Sequence, residues 1–100
     1  MFIEELKKEY KRLVVIEMSM LKRRIALENA WSDFTAELEN AERDNSVSNE
    51  EMAKLYAKND KFAYVVDIAR NRENSISELL NKMVSIIDTY NEHERRSGRA

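Results

Sequence analysis

Residues 1–97 contain neither proline nor glycine, and the single glycine of the chain is Gly98. Proline breaks a helix interior, and glycine costs roughly 1 kcal/mol there relative to alanine. Sheet proteins draw on both residues at their tight turns. A chain lacking them is poorly supplied for hairpin turns and unusually free to run long helices. Glu, Lys, Arg, Leu, Ala and Met supply much of the rest, all of them good helix formers. The expected fold class is all-α. At 100 residues the chain makes one domain, read as 1–97 with a flexible tail at 98–100.

The only polar cluster with turn character is Asp44-Asn45-Ser46-Val47-Ser48-Asn49, near the midpoint. Ser48 followed by Glu51 has the form of a capping box, in which hydroxyl and carboxylate each satisfy an orphan backbone N–H. Val47 and Met52, on either side of the cap, have the spacing of a hydrophobic staple. Asn45 is a candidate for the left-handed residue that ends a first helix. These features predict a helix over about 3–44, a bend at 44–48 and a second helix over about 48–96. Asn59-Asp60 and Asn71–Ser75 are the places where the second helix could break.

Each flank of the bend carries a heptad. In the first helix the inward positions are Ile3, Leu6, Tyr10, Leu13, Glu17, Met20, Arg24, Leu27, Trp31, Phe34, Leu38 and Ala41. In the second they are Met52, Leu55, Asn59, Phe62, Val66, Ala69, Glu73, Ile76, Leu80, Met83, Ile87 and Tyr90. Apolar residues spaced alternately three and four form the seam of a left-handed helix pair. A short bend makes the pair antiparallel, a coiled-coil-like helical hairpin. Ala41 then faces Met52, Trp31 faces Phe62, Leu13 faces Leu80, and Ile3 faces Tyr90.

Beside the seam the first helix has a second stripe, Val14, Met18, Leu21 and Ile25, and the second helix adds Val65, Ile68, Leu79 and Ile86. Two apolar faces on one helix call for more than one neighbour. The spacing four, three, four reads the same in both directions, so this stripe can meet its own copy antiparallel across a two-fold axis. Val14 would pair with Ile25, and Met18 with Leu21. The expectation is a homodimer forming a four-helix bundle. Its interface would be Val14, Glu17, Met18, Leu21, Arg24 and Ile25.

Glu17, Arg24, Asn59 and Glu73 occupy seam positions that should be apolar. Polar groups there can fix register or partner number at some cost in stability, or they can build a buried polar site. The proposed register puts Arg24 and Glu73 one layer apart, within reach of an ion pair. Across the two-fold axis, Glu17 of one copy approaches Arg24 of the other.

Catalysis finds little support in these residues. The single histidine, His93, stands in the polar run Asn91-Glu92-His93-Glu94-Arg95-Arg96. Bundle metal sites use Glu-x-x-His, but Tyr90 stands three residues before His93; Ser97 occupies the second His position of an HExxH motif. There is no cysteine, which removes disulfides, thiolate ligands and thiol nucleophiles. No glycine-rich phosphate loop is present. The reading is a protein that is not an enzyme, with no catalytic residues, no cofactor and no metal. The N-terminus lacks a basic-then-apolar signal pattern, and the longest aliphatic run, Leu13–Ile16, is too short to span a bilayer. A soluble cytoplasmic protein without a membrane partner is expected.

A net charge of −2 hides a strong segregation. Residues 28–60, around the bend, carry net −6, and the remainder carries +4. The acidic bend end (Glu37, Glu39, Glu42, Asp44, Glu50, Glu51) would suit a basic protein surface. Lys22, Arg23 and Arg24 fall opposite Arg70 and Arg72, a basic belt midway along the hairpin that could grip phosphates. Further bases, Lys7, Lys8, Lys11 and Arg12, lie near the open end, extended by Arg95, Arg96 and Arg99. A nucleic-acid binder would interleave aromatics with its bases, whereas Trp31, Phe34 and Phe62 all fall on the seam. The function read from sequence is therefore a protein–protein interaction module (adaptor, inhibitor or assembly factor) acting as a homodimer on an unidentified protein partner. The alternative is a small nucleic-acid-associated regulator using the basic belt.

Overall fold

The computed structural model describes residues 2–99, with side chains through residue 98. Of the expected flexible tail, Ala100 and the side chain of Arg99 lie outside the described residues. Two long helices, α1 (Phe2–Arg43) and α2 (Asn49–Glu94), pack against each other as a hairpin. The second passes Asn59-Asp60 and Asn71–Ser75 without interruption. A π-type turn, Arg95–Arg99, follows it, and Gly98 adopts φ 83° there, the left-handed conformation that commonly closes a helix.

The bend is built differently from one expectation. No described residue other than glycine has positive φ, so Asn45 does not supply a left-handed cap. Asp44 organises the turn instead. Its carboxylate accepts from the backbone N–H of Ser46 at 2.9 Å and from the Ser46 hydroxyl at 2.7 Å. Its carbonyl accepts from the Val47 N–H at 3.3 Å. An aspartate that folds back onto the residue two ahead makes an Asx turn, which needs no left-handed backbone. Both hydrogen bonds hold the Asp44 carboxyl below its ordinary pKa, the one from the Ser46 hydroxyl most strongly. On the far side the Ser48 hydroxyl accepts from the Glu51 N–H at 3.2 Å, the hydroxyl half of the capping box. Glu50 and Glu51 stand in the first turn of α2, where the helix dipole favours negative charge.

By packing, the chain divides into two compact units: Met1–Met20 with Arg72–Ala100, and Leu21–Asn71. In the first, Ile3, Leu80 and Met83 are buried, with Leu6, Leu13 and Ile76 half-buried around them. Tyr90, expected opposite Ile3, is 37% exposed. In the second unit Phe34, Leu38 and Val66 are buried, and Leu27, Trp31, Leu55 and Phe62 are half-buried. Phe34 and Phe62 stack across the hairpin with centroids 5.4 Å apart.

Replacing Ser48 by Ala removes a cap acceptor, and should lower the unfolding free energy by about 1 kcal/mol. Asp44→Ala should cost a similar amount through loss of the Asx turn. Urea unfolding followed by helix signal checks both, and a change below a few tenths of a kcal/mol in each would contradict this account of the bend.

Candidate interaction surfaces

The Leu21–Asn71 unit carries its polar groups on and beside the seam. Asn59, anomalous in a heptad, has a specific partner: Trp31 donates its indole N–H to the Asn59 side-chain oxygen at 2.8 Å. The expected opposition of Trp31 to Phe62 thus resolves into diagonal contacts, Trp31 with Asn59 and Phe34 with Phe62. A half-buried indole needs an acceptor, and a seam asparagine provides one without opening the pair to water.

Glu28, which occupies no seam position, ties the helices together. Its two carboxylate oxygens accept from Arg24 at 3.0 Å, along the same helix, and from Arg70 at 2.9 Å, across the hairpin. The Arg70 hydrogen bond holds the Glu28 carboxyl below its ordinary range; partial desolvation opposes this, and Arg24 adds to it. The signal available in sequence was the i,i+4 spacing of Arg24 and Glu28, which favours such pairs. An open groove of about 480 Å³ runs beside this cluster, lined by Glu28, Trp31, Ser32, Thr35, Glu39 and Arg70.

The same cluster bears on the basic belt. Lys22 and Arg23 are exposed on α1, while Arg24 and Arg70 both reach Glu28, so two of the five bases are joined to a carboxylate. Arg72 is exposed and belongs to the other unit. The acidic residues Glu37, Glu39, Glu42, Asp44, Glu50 and Glu51 are all exposed. They do not share one flank: helical spacing puts Glu39 and Glu42 on the side of Glu28, and Glu37 on the opposite side. Glu42 meets the Tyr56 hydroxyl, whose pKa is raised by partial desolvation first, then by the charge and hydrogen bond of Glu42.

In the other unit, Glu17 is also accounted for within one chain. The Ser77 hydroxyl donates to its carboxylate at 2.7 Å in a half-buried setting. Elsewhere Glu9 pairs with Arg12, and Glu92 with Arg96 at 2.9 Å. His93 is exposed beside Thr89, Glu92 and Arg96. Of the second stripe on α1, Val14 is half-buried and Met18 is 56% exposed; Leu21 and Ile25, in the Leu21–Asn71 unit, are 37% and 45% exposed. Among the described residues no group of three or more His, Cys, Asp or Glu is placed to hold a metal ion. Among them, too, no helix is long and apolar enough to cross a membrane.

No protein-family model, curated protein or solved structure matches the chain.

Two outcomes follow from the Glu28 and Asn59 contacts. The folded Glu28 carboxyl lies below its unfolded value, so its contribution is present above the ordinary carboxylate pKa and fades as pH falls through the folded one. The melting-temperature gap between the unaltered chain and Glu28→Gln should therefore be widest near pH 7 and close as pH drops below about 4. A gap that stays constant over that range would separate Glu28 from the effect. Asn59→Ala leaves the Trp31 N–H without its acceptor, and should cost about 1–3 kcal/mol in urea unfolding. Trp31 is the only tryptophan in the chain, so its fluorescence reports the same change directly.

Proposed function

We propose that this chain is a protein–protein interaction module that pairs with its own copy along α1 and offers an acidic bend end to a second protein. The observation that carries the reading is the set of large apolar side chains lying off the seam and wet in the single chain. Met18, Leu21 and Ile25 on α1, and Val65, Leu79 and Ile86 on α2, are each more than a third exposed. Residues of this kind scattered singly need no explanation, but rows at helical spacing mark a face meant for a neighbour. The palindromic spacing of Val14, Met18, Leu21 and Ile25 favours a second copy as that neighbour, with Glu17 and Arg24 at its edge. The exposed carboxylates around the bend, Glu37, Glu39, Glu50 and Glu51 among them, support a basic partner surface, since they are solvated and can be matched by charge. A nucleic-acid role for Lys22, Arg23, Arg24, Arg70 and Arg72 has less support, because Arg24 and Arg70 already meet on Glu28.

Sedimentation of the full chain at micromolar concentration should give a dimer. Met18→Glu combined with Leu21→Glu should raise its dissociation constant at least a hundredfold, about 2.7 kcal/mol, with helix content unchanged. A stable monomer before substitution would remove the dimer. Affinity capture from native cells tests the bend end separately. Glu37→Lys with Glu39→Lys should release the captured protein while leaving the bundle folded, and retention by that variant would rule the acidic end out. Glu50 is better left intact in this test, because it stands in the first turn of α2 and reversing it would also work against the helix dipole.

A further inference from the structure

The Leu21–Asn71 unit has a second surface, on the flank of the seam away from Leu21 and Ile25. A cleft of about 250 Å³ opens between the helices, lined by Leu27, Phe62 and Val65 with Lys58 and Lys61. Its floor is held in place: Phe62 stacks on Phe34 at 5.4 Å, and the Lys58 ammonium sits 4.8 Å over the Phe34 ring. Val65 is 42% exposed at the mouth. Lys58, Lys61 and Val65 are spaced three and four apart, with Lys54 four residues earlier, so they make one row along α2. The wall of the cleft is apolar although two lysines help to line it. Their methylene stems help line it; the Lys58 ammonium lies against the Phe34 ring, and Lys61 is exposed.

We propose that this cleft is a docking site for an acidic amphipathic helix of a partner protein. A trough between two helices is shaped for a third helix, whose apolar residues at i, i+3 or i+4, and i+7 would enter it. Charge selects which helix. Among the described residues, Lys58 and Lys61 have no carboxylate within ion-pair distance, so the rim offers two unmatched cations beside a carbon-lined floor. A helix with Asp or Glu flanking its apolar row matches both features; a basic helix would meet like charge. The site is opposite in sign to the acidic bend end and lies on the flank away from Glu39 and Glu42, with Glu37 on its own side; its test uses other variants, so either reading can fail while the other holds.

The probe is a displayed library of helical peptides with a fixed Leu/Phe row and randomised flanking positions, selected on the full-length chain. Enrichment of Asp and Glu beside the row is expected. The winning peptides should lose at least tenfold in affinity on Val65→Asp and on Lys58→Glu with Lys61→Glu, and should weaken as salt is raised. The two lysines are exposed, so the second variant keeps the test decisive if Val65→Asp disturbs folding. The proposal is overturned by no enrichment, by winners rich in Lys and Arg, or by winners indifferent to both variants. It is overturned equally if Lys58→Glu with Lys61→Glu changes the sedimentation of the chain alone, which would make a second copy the occupant.

Discussion

A helix with one neighbour can hide one stripe of its surface, and everything else about this protein follows from that limit. Among the described residues, the buried apolar side chains of each unit all lie on the seam: Ile3, Leu80 and Met83 in one, Phe34, Leu38 and Val66 in the other. A helix in the middle of a larger bundle would bury two or three sides. Here the residues one step off the seam, Val65 and Leu21 among them, stay wet. Apolar burial therefore decides that the hairpin closes, but leaves apolar residues on its flanks exposed.

Closing is not the same as closing in register. Smooth apolar seams can slide by a heptad with little loss, and polar insertions are the usual remedy. The two units use different ones. Near the bend, the Trp31–Asn59 hydrogen bond and the Glu28–Arg70 ion pair both cross the hairpin, and displacing α2 by a heptad parts both. In the other unit the Ser77–Glu17 hydrogen bond does the same with a hydroxyl in place of an arginine. None of these is a large stabiliser, since half-exposed polar contacts return little beyond what water offered. Their effect is selective: misaligned pairs would leave Trp31, Asn59 and Glu17 unsatisfied at half-buried positions.

How far the sequence discloses this differs by feature, for physical reasons. The heptads were legible because periodicity is a property of the whole helix; of the seam positions, only Tyr90 at the end of α2 is exposed. The bend was legible through Ser48, whose hydroxyl acts on its own neighbours. Asn45 was misread because two residues in the cluster can end a helix by different chemistry, and the Asx turn of Asp44 removed any need for a left-handed backbone. The role of Glu28 was not legible. Its partner Arg70 is 42 residues away and approaches from the flank of the seam, where the heptad pattern carries no information. Asn59 was visible as an anomaly, but its meaning depended on which diagonal neighbour it would meet.

The flanks also explain how one small hairpin could serve two partners without conflict. In an antiparallel pair, side chains that flank the seam on one side of the first helix meet those on the same side of the second. Glu28 with Arg70 identifies one such side. Leu21 and Ile25 are seven and three residues before Glu28, and so lie on that side too. Val65, Lys58 and Lys61 fall to the other, together with the mouth of the apolar cleft. A copy paired through Leu21 and Ile25 would therefore leave the lysine-rimmed cleft open. Beside Leu21 and Ile25 the charge is Glu28, held by Arg24 and Arg70, whereas the cleft is rimmed by Lys58 and Lys61. Within this unit, the sign of the charge beside each apolar row does what the apolar rows alone cannot: it tells the two flanks apart.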